Sequence, residues 1–416
     1  MSFDIRISWD EIRKRPDDYV LATYVLDGPS GMMRASEIFE AARQLAIGQS
    51  VGNPNVRSVW ETDELFEKHS ARIVVDIYAP KPGHMREYND SSYVTIAFPA
   101  INTEWDEDGI SHLLCQLMGG QLDIDVVTRC YLAKLSIPDW IKGRFGKPAL
   151  GISGLRQRTG RVNKPFLGGI IKPKTGISPQ TLLDMTKELV EGGVDFIKED
   201  EILSNPIFCP LSQRVPLIAN YLSQVGYKGI YNFCINADPH AILKRAKFIA
   251  QNTGPECGVH VNFWSGMGVY NSIRRENPNL FIHFQKSGDK ILTHPSHKFH
   301  ISWSVIQQLA AMMGVDSIHS GMIGGYMPDQ EYTVLEDVQM LVKSNVIPAL
   351  SCGMNPGLVD YINKQAGNDW LANVGGALHG HPGGTLAGVK AMRQAIDGTH
   401  GSEFISAIKT WGYKKP

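Results

Sequence analysis

The sequence predicts an α/β protein: an α+β, ferredoxin-like N-terminal domain, residues 1–146, followed by a C-terminal (β/α)8 TIM barrel, residues 147–416. Three observations carry that prediction. From Pro165 onward, short apolar runs alternate with amphipathic stretches through eight strand-helix units, the pattern of a closed parallel barrel. The first third mixes strand and helix signals without that regularity, as an open sheet with helices on one face does. Between them lie residues 147–164, rich in Gly, Arg and Pro, which read as a linker. A doubly wound open sheet would need a chain reversal, and no long connection provides one.

In the N-terminal domain the strand runs are 19–26, 71–78, 93–98 and 129–137, and helical spacing is found over 35–47 and 110–118. The barrel strands fall at 167–172, 194–200, 229–236, 257–264, 280–285, 316–321, 347–353 and 370–376. Helical patterns follow them at 178–191, 210–224, 239–251, 267–276, 300–313, 332–343, 358–365 and 386–396. The first helix shows its signals plainly: Ser178 as N-cap, Pro179 at the first position, an apolar stripe through Leu182, Leu183, Thr186, Leu189 and Val190, and Gly192 as the stop.

The composition excludes several classes of function. Lys plus Arg is 41 and Asp plus Glu is 42, so no global field selects nucleic acid or an anionic membrane. No apolar run approaches spanning length, and the polar stretch from Met1 to Arg13 has no secretory apolar core, so a cytoplasmic protein is expected. Cys115, Cys130, Cys209, Cys234, Cys257 and Cys352 are scattered in or beside apolar segments, with no C-x-x-C pair, and read as free buried thiols.

Chemistry in a barrel of this kind belongs at the C-terminal ends of the strands, and polar residues gather there. Strand two ends in F-I-K-E-D-E, where alternation puts Lys198 and Asp200 on one face and Glu201 at the turn. Two converging carboxylates fit a hard cation, but an ammonium has no acceptor and repels one. The hexamer is therefore either a salt-bridge cluster or a metal site whose lysine has become an anion by condensing with CO2. Strand one ends in Lys172 and Lys174, strand five in His283, Gln285 and Lys286, and strand six in His319 and Ser320. Strands seven and eight end in Ser351 and Gly353 and in Gly375 and Gly376, where such barrels commonly hold a phosphate on backbone N–H groups.

Five motifs in order give this chain a family resemblance. They are G-G-I-I-K-P-K-T-G-I-S at 168–178, G-G-V-D-F-I-K-E-D-E at 192–201, I-H-S-G at 318–321, S-C-G-M at 351–354 and G-G-A-L-H-G-H-P-G-G at 375–384. Together they resemble the large chain of ribulose bisphosphate carboxylase (RuBisCO). The resemblance implies a carbamylated Lys198 holding Mg2+ with Asp200 and Glu201, Lys172 as the enolising lysine and Lys174 beside it over the metal. It also implies one phosphate on Gly353, Gly375 and Gly376, a second near His319 and Lys286, and a homodimer with a shared active site.

The departures from the family are equally specific. Gly48 and Gly120 stand where carboxylases carry a glutamate and an asparagine, and Tyr326 stands where the loop lysine belongs. Ile170 replaces a metal-side threonine, Gln285 a histidine and Lys286 an arginine. Without the lysine and asparagine, charge developing on added CO2 has lost its stabilisers. The chain therefore resembles a RuBisCO-like protein, form IV. The implied function is Mg2+-dependent enolisation of a phosphorylated ketose or sugar acid, as a lyase or isomerase. The methionine-salvage diketo-methylthiopentyl-phosphate enolase is an alternative, although Thr95 stands where that enolase has its base. A non-catalytic binding or regulatory protein on the same scaffold is another.

Overall fold

The computed structural model describes residues 3–27, 34–75, 92–123, 127–326 and 329–416. The chain divides into two units, one within residues 1–145 and 288–309, the other within 146–287 and 310–416.

The first unit is built on a six-stranded mixed sheet. Its four central strands lie in the order Arg72–Val75, Ser92–Pro99, Tyr19–Asp27, Arg129–Ser136, each antiparallel to its neighbour, with helices Ala35–Gly48 and Gly109–Leu117 in the crossovers. That is the ferredoxin-like arrangement. Two short parallel edge strands, Arg6–Ser8 and Phe299–Ile301, extend it. Neither was expected, because three residues are too few to establish an alternation. The second also moves the start of the fifth barrel helix, expected at 300, to Trp303. The part of the expected strand 71–78 beyond Val75 lies outside the described residues.

All eight expected barrel strands form, and they close in parallel. They are Phe166–Ile170, Phe196–Lys198, Ile230–Cys234, Cys257–Asn262, Phe281–Gln285, Ser317–Gly321, Ile347–Leu350 and Leu371–Val374. Each is buried on both faces, which is why the sequence shows continuous apolar runs rather than alternation. The first barrel helix, Pro179–Gly192, begins as expected, with Ser178 Oγ accepting from Thr181 N at 3.1 Å. It stops one residue later than the sequence indicated, at Gly193, whose φ of 87° is a left-handed cap.

The stretch 147–164 is not a linker. It contains the helix Gly151–Thr159, whose Ile152 and Leu155 join Phe166, Phe196, Ile230, Phe281, Ile347 and Leu371 in a core at the strand starts. Its polar residues misled the sequence reading because they act as tertiary clamps: Arg156 reaches Asp369 at 2.5 Å, and Arg161 reaches Asp195 at 3.2 Å. This plug seals the N-terminal end of the barrel and leaves the other end for chemistry. All six cysteines are free, but Cys115 is exposed and Cys352 half-buried.

Candidate active site

Strand two sets the site. Alternation sends Lys198 into the barrel, where it is 1% exposed, and Glu199 outward to the helix layer. Glu199 is held there by Arg214 at 2.9 and 3.0 Å, Tyr231 Oη at 3.1 Å and Cys234 N at 2.8 Å. With Glu199 clamped, Lys198, Asp200 and Glu201 face the mouth. Lys198 Nζ lies 3.2 Å from Glu201 Oε2, and Lys172 Nζ donates to Asp200 Oδ2 at 2.6 Å. Ser287 Oγ, just past strand five, donates to Glu201 Oε1 at 2.6 Å and is met by Gln285 Nε2 at 2.7 Å. Burial raises the Glu201 carboxyl, but the Lys198 charge and the Ser287 hydrogen bond outweigh it and hold Glu201 below the usual carboxylate range.

One cavity of about 560 Å3 takes in nearly every residue selected from the sequence. Lys172, Lys174, Lys198, Asp200, Glu201, His319, Ser351, Gly353, Gly375 and Gly376 all line it. Lys286 is not among them; it is 4% exposed and sits 4.0 Å from Asp329. Lys174 is exposed at the rim. Gly375 is bare where a Cβ would stand 3.4 Å from Lys172 Cε, and Gly353, with φ of 95°, has the Tyr326 ring against it, 2.6 Å from where a Cβ would be.

His319 is neutral: burial first, then the charges of Lys286 and Lys198, push its imidazole down to about 3. It can give a phosphate a hydrogen bond, not a charge. His260 and His283, deeper in the barrel, are lowered by burial and by Lys198 as well. Tyr326, named from the sequence as the loop-lysine position, lines the cavity, and so do Ser287, Asn373 and Trp411, which the sequence did not single out. Ser287 could have been found two residues after Gln285, and Asn373 as a lone amide in the apolar run L-A-N-V.

Among the described residues no group of three or more His, Cys, Asp or Glu side chains is placed to hold a metal. Two carboxylates and a buried lysine do converge, however. A carbamate on Lys198 would supply the third oxygen donor and remove the repelling charge, so the donor set fits Mg2+ in that form.

Residues 151–410 match the model of the ribulose bisphosphate carboxylase large chain, catalytic domain. The chain belongs to the RuBisCO large-chain family. It is 27% identical to a ribulose bisphosphate carboxylase of Archaeoglobus fulgidus over 91% of this chain and 92% of that one. It is 30% identical to the 3-oxo-isoapionate-4-phosphate decarboxylase of Rhizobium etli over 90% of this chain and 92% of that one. The crystal structure of a rubisco-like protein from Burkholderia fungorum superposes with a TM-score of 0.78 at 25% identity, covering 94% of this chain and 99% of that one. Within this RuBisCO family its relatives include RuBisCO-like proteins. In the first unit, the side chain of Gln121 fills the space beside Gly48, and Gly120 opens onto space.

Proposed function

We propose that the barrel mouth enolises a phosphorylated ketose or sugar acid with Mg2+, as a decarboxylase or isomerase, and does not fix CO2. The observation that carries this reading is the convergence of Lys172 on Asp200 at 2.6 Å beside Lys198 and Glu201 in one cavity. Carbamylated Lys198, Asp200 and Glu201 would hold the ion, whose Lewis acidity polarises a substrate carbonyl. Lys172 would take or return the proton at the carbon beside that carbonyl, a role supported by its half-buried side chain and its reach to Asp200. Backbone N–H groups at Gly353, Gly375 and Gly376, with Ser351, would receive the phosphate, and Lys174 adds charge at the rim.

Tyr326 is a neutral phenol and brings no cation to a carboxylated intermediate. The decarboxylase named among the relatives acts on a phosphorylated sugar acid, which supports that branch over the isomerase. Thr95 is paired with Thr23 across the sheet at 2.9 Å, and its hydroxyl is no base at neutral pH, which counts against the salvage enolase. The proposal extends to a cytoplasmic homodimer whose site is shared, on the family resemblance. Among the described residues no helix is long and apolar enough to cross a membrane.

The test is solvent deuterium exchange and CO2 release with phosphorylated ketoses and 3-oxo sugar acids, in the presence of Mg2+ and bicarbonate. Exchange that falls by roughly 100-fold or more in Lys172→Ala is expected. Wild-type protein that exchanges with none of them, while binding Mg2+ normally, would leave only a binding role.

A further inference from the structure

Asn373 is the third residue of the last barrel strand, is 2% exposed and lines the site cavity. Its Oδ1 is buried with no hydrogen-bond partner among the described residues. Native interiors rarely leave such an acceptor unpaired, because burial costs it the hydrogen bonds it had with water. The local fold offers it nothing: Ala372 and Val374 flank it, and its register partner across strand one is Gly168. Two residues on, just past the strand end, a Cβ on Gly375 would stand 3.4 Å from Lys172 Cε. The buried amide and the lysine assigned to the proton therefore line one cavity.

We infer that Asn373 is a specificity-determining residue that selects an α-hydroxyketone over a diketone or a ketone lacking the hydroxyl. A carboxamide offers one acceptor and one donor side by side, whichever way it is turned. A carbonyl beside a hydroxyl answers both, since the carbonyl accepts from Nδ2 and the hydroxyl donates to Oδ1. A diketone or a carboxylate offers acceptors alone and leaves Oδ1 buried and unpaired, the situation in which a polar site rejects an analogue most strongly. The inference rests on the enolising reading for its orientation beside Lys172, and it narrows the substrate to phosphorylated ketoses or 3-oxo sugar acids carrying a hydroxyl next to the carbonyl.

The probes are dihydroxyacetone phosphate and acetol phosphate, which differ by that hydroxyl, with wild-type protein, Mg2+ and bicarbonate. Binding at least about tenfold tighter for the hydroxylated member is expected, falling to within about twofold in Asn373→Leu. Because the substitution removes an unpaired buried amide, its Tm should stay level or rise. Equal binding of the two probes by wild type, a preference that survives Asn373→Leu, or a Tm lowered by the substitution would overturn the inference. A retained tenfold preference with no deuterium exchange into dihydroxyacetone phosphate or any of the other phosphorylated ketoses and 3-oxo sugar acids would remove the enolising reading and leave the selectivity of Asn373 standing.

Discussion

Lys198 and Glu201 are an ion pair inside a barrel, with Nζ 3.2 Å from Oε2 and the lysine 1% exposed. A buried ammonium beside a carboxylate is stable as a pair but useless as a cation site, so metal binding should wait on CO2. Calorimetric Mg2+ titrations of wild type should tighten when bicarbonate is added, and those of Lys198→Ala should be indifferent to it. With 13C-bicarbonate, a carbamate carbon signal should form in wild type alone. Equal bicarbonate dependence in both proteins would sink the carbamate.

Ser287 aims one oxygen of Glu201 by donating to it at 2.6 Å. Ser287→Ala frees that carboxylate to turn and removes a bond that lowers its pKa. Outer partners of metal ligands commonly tune affinity, and a loss of about 10-fold to 100-fold in Mg2+ affinity is expected, read by the same titration. The fold should be untouched, with an unchanged circular dichroism spectrum.

How much of this was legible depended on what kind of pattern carried it. The barrel was readable because buried parallel strands and amphipathic helices repeat with a period, and each repeat reinforces the next. The edge strand Phe299–Ile301 was not, since its three residues draw their hydrogen bonds from Arg129–Ser136, far away in the sequence. The helix Gly151–Thr159 was misread because Arg156 and Arg158 make it look solvated, while its salt bridges are tertiary. In the site, Lys198, Asp200 and Glu201 were legible as a cluster along one strand. Ser287 and Asn373 were not, because a single serine or amide gains meaning from what faces it. Lys286 was expected at the cavity but is not among its lining residues; it is buried, 4.0 Å from Asp329, with its charge still felt by His319.

Glu199 and Arg214 form a pair in which both side chains are fully buried, and the clamp decides which way the K-E-D-E segment faces. Arg214→Met should leave Glu199 as an uncompensated buried charge and cost about 3–5 kcal/mol of unfolding free energy. The double variant Arg214→Met with Glu199→Gln should recover part of that loss in urea titrations. A single variant as stable as wild type would show that the clamp is dispensable.

At Gly353 two constraints coincide: a left-handed φ of 95° and the Tyr326 ring where a Cβ would go. Gly353→Ala should therefore weaken binding of inorganic phosphate at the cavity, and Tyr326→Ala in the same chain should restore part of it. The strained backbone remains, so restoration should be incomplete. If the tyrosine change gives no recovery, the clash with the ring is not what disturbs the glycine.

His300 gives the first unit a pH dependence whose sign can be worked out. Its ring is stacked on Tyr131, with centroids 4.2 Å apart, and burial, aided by the nearby Arg129 charge, lowers the imidazole from 6.5 to about 4. The unfolded chain takes up the proton near pH 6.5, whereas the folded one resists it until about pH 4. Its contribution is therefore complete above the higher value, is lost as the pH falls through that window, and levels off below it. His300→Phe keeps an aromatic ring against Tyr131 but cannot titrate. The Tm advantage of wild type over this variant should be constant above about pH 7 and shrink steadily toward pH 4. Differential scanning calorimetry at matched ionic strength checks this, and a pH-independent difference would show that the proton on His300 is not coupled to folding.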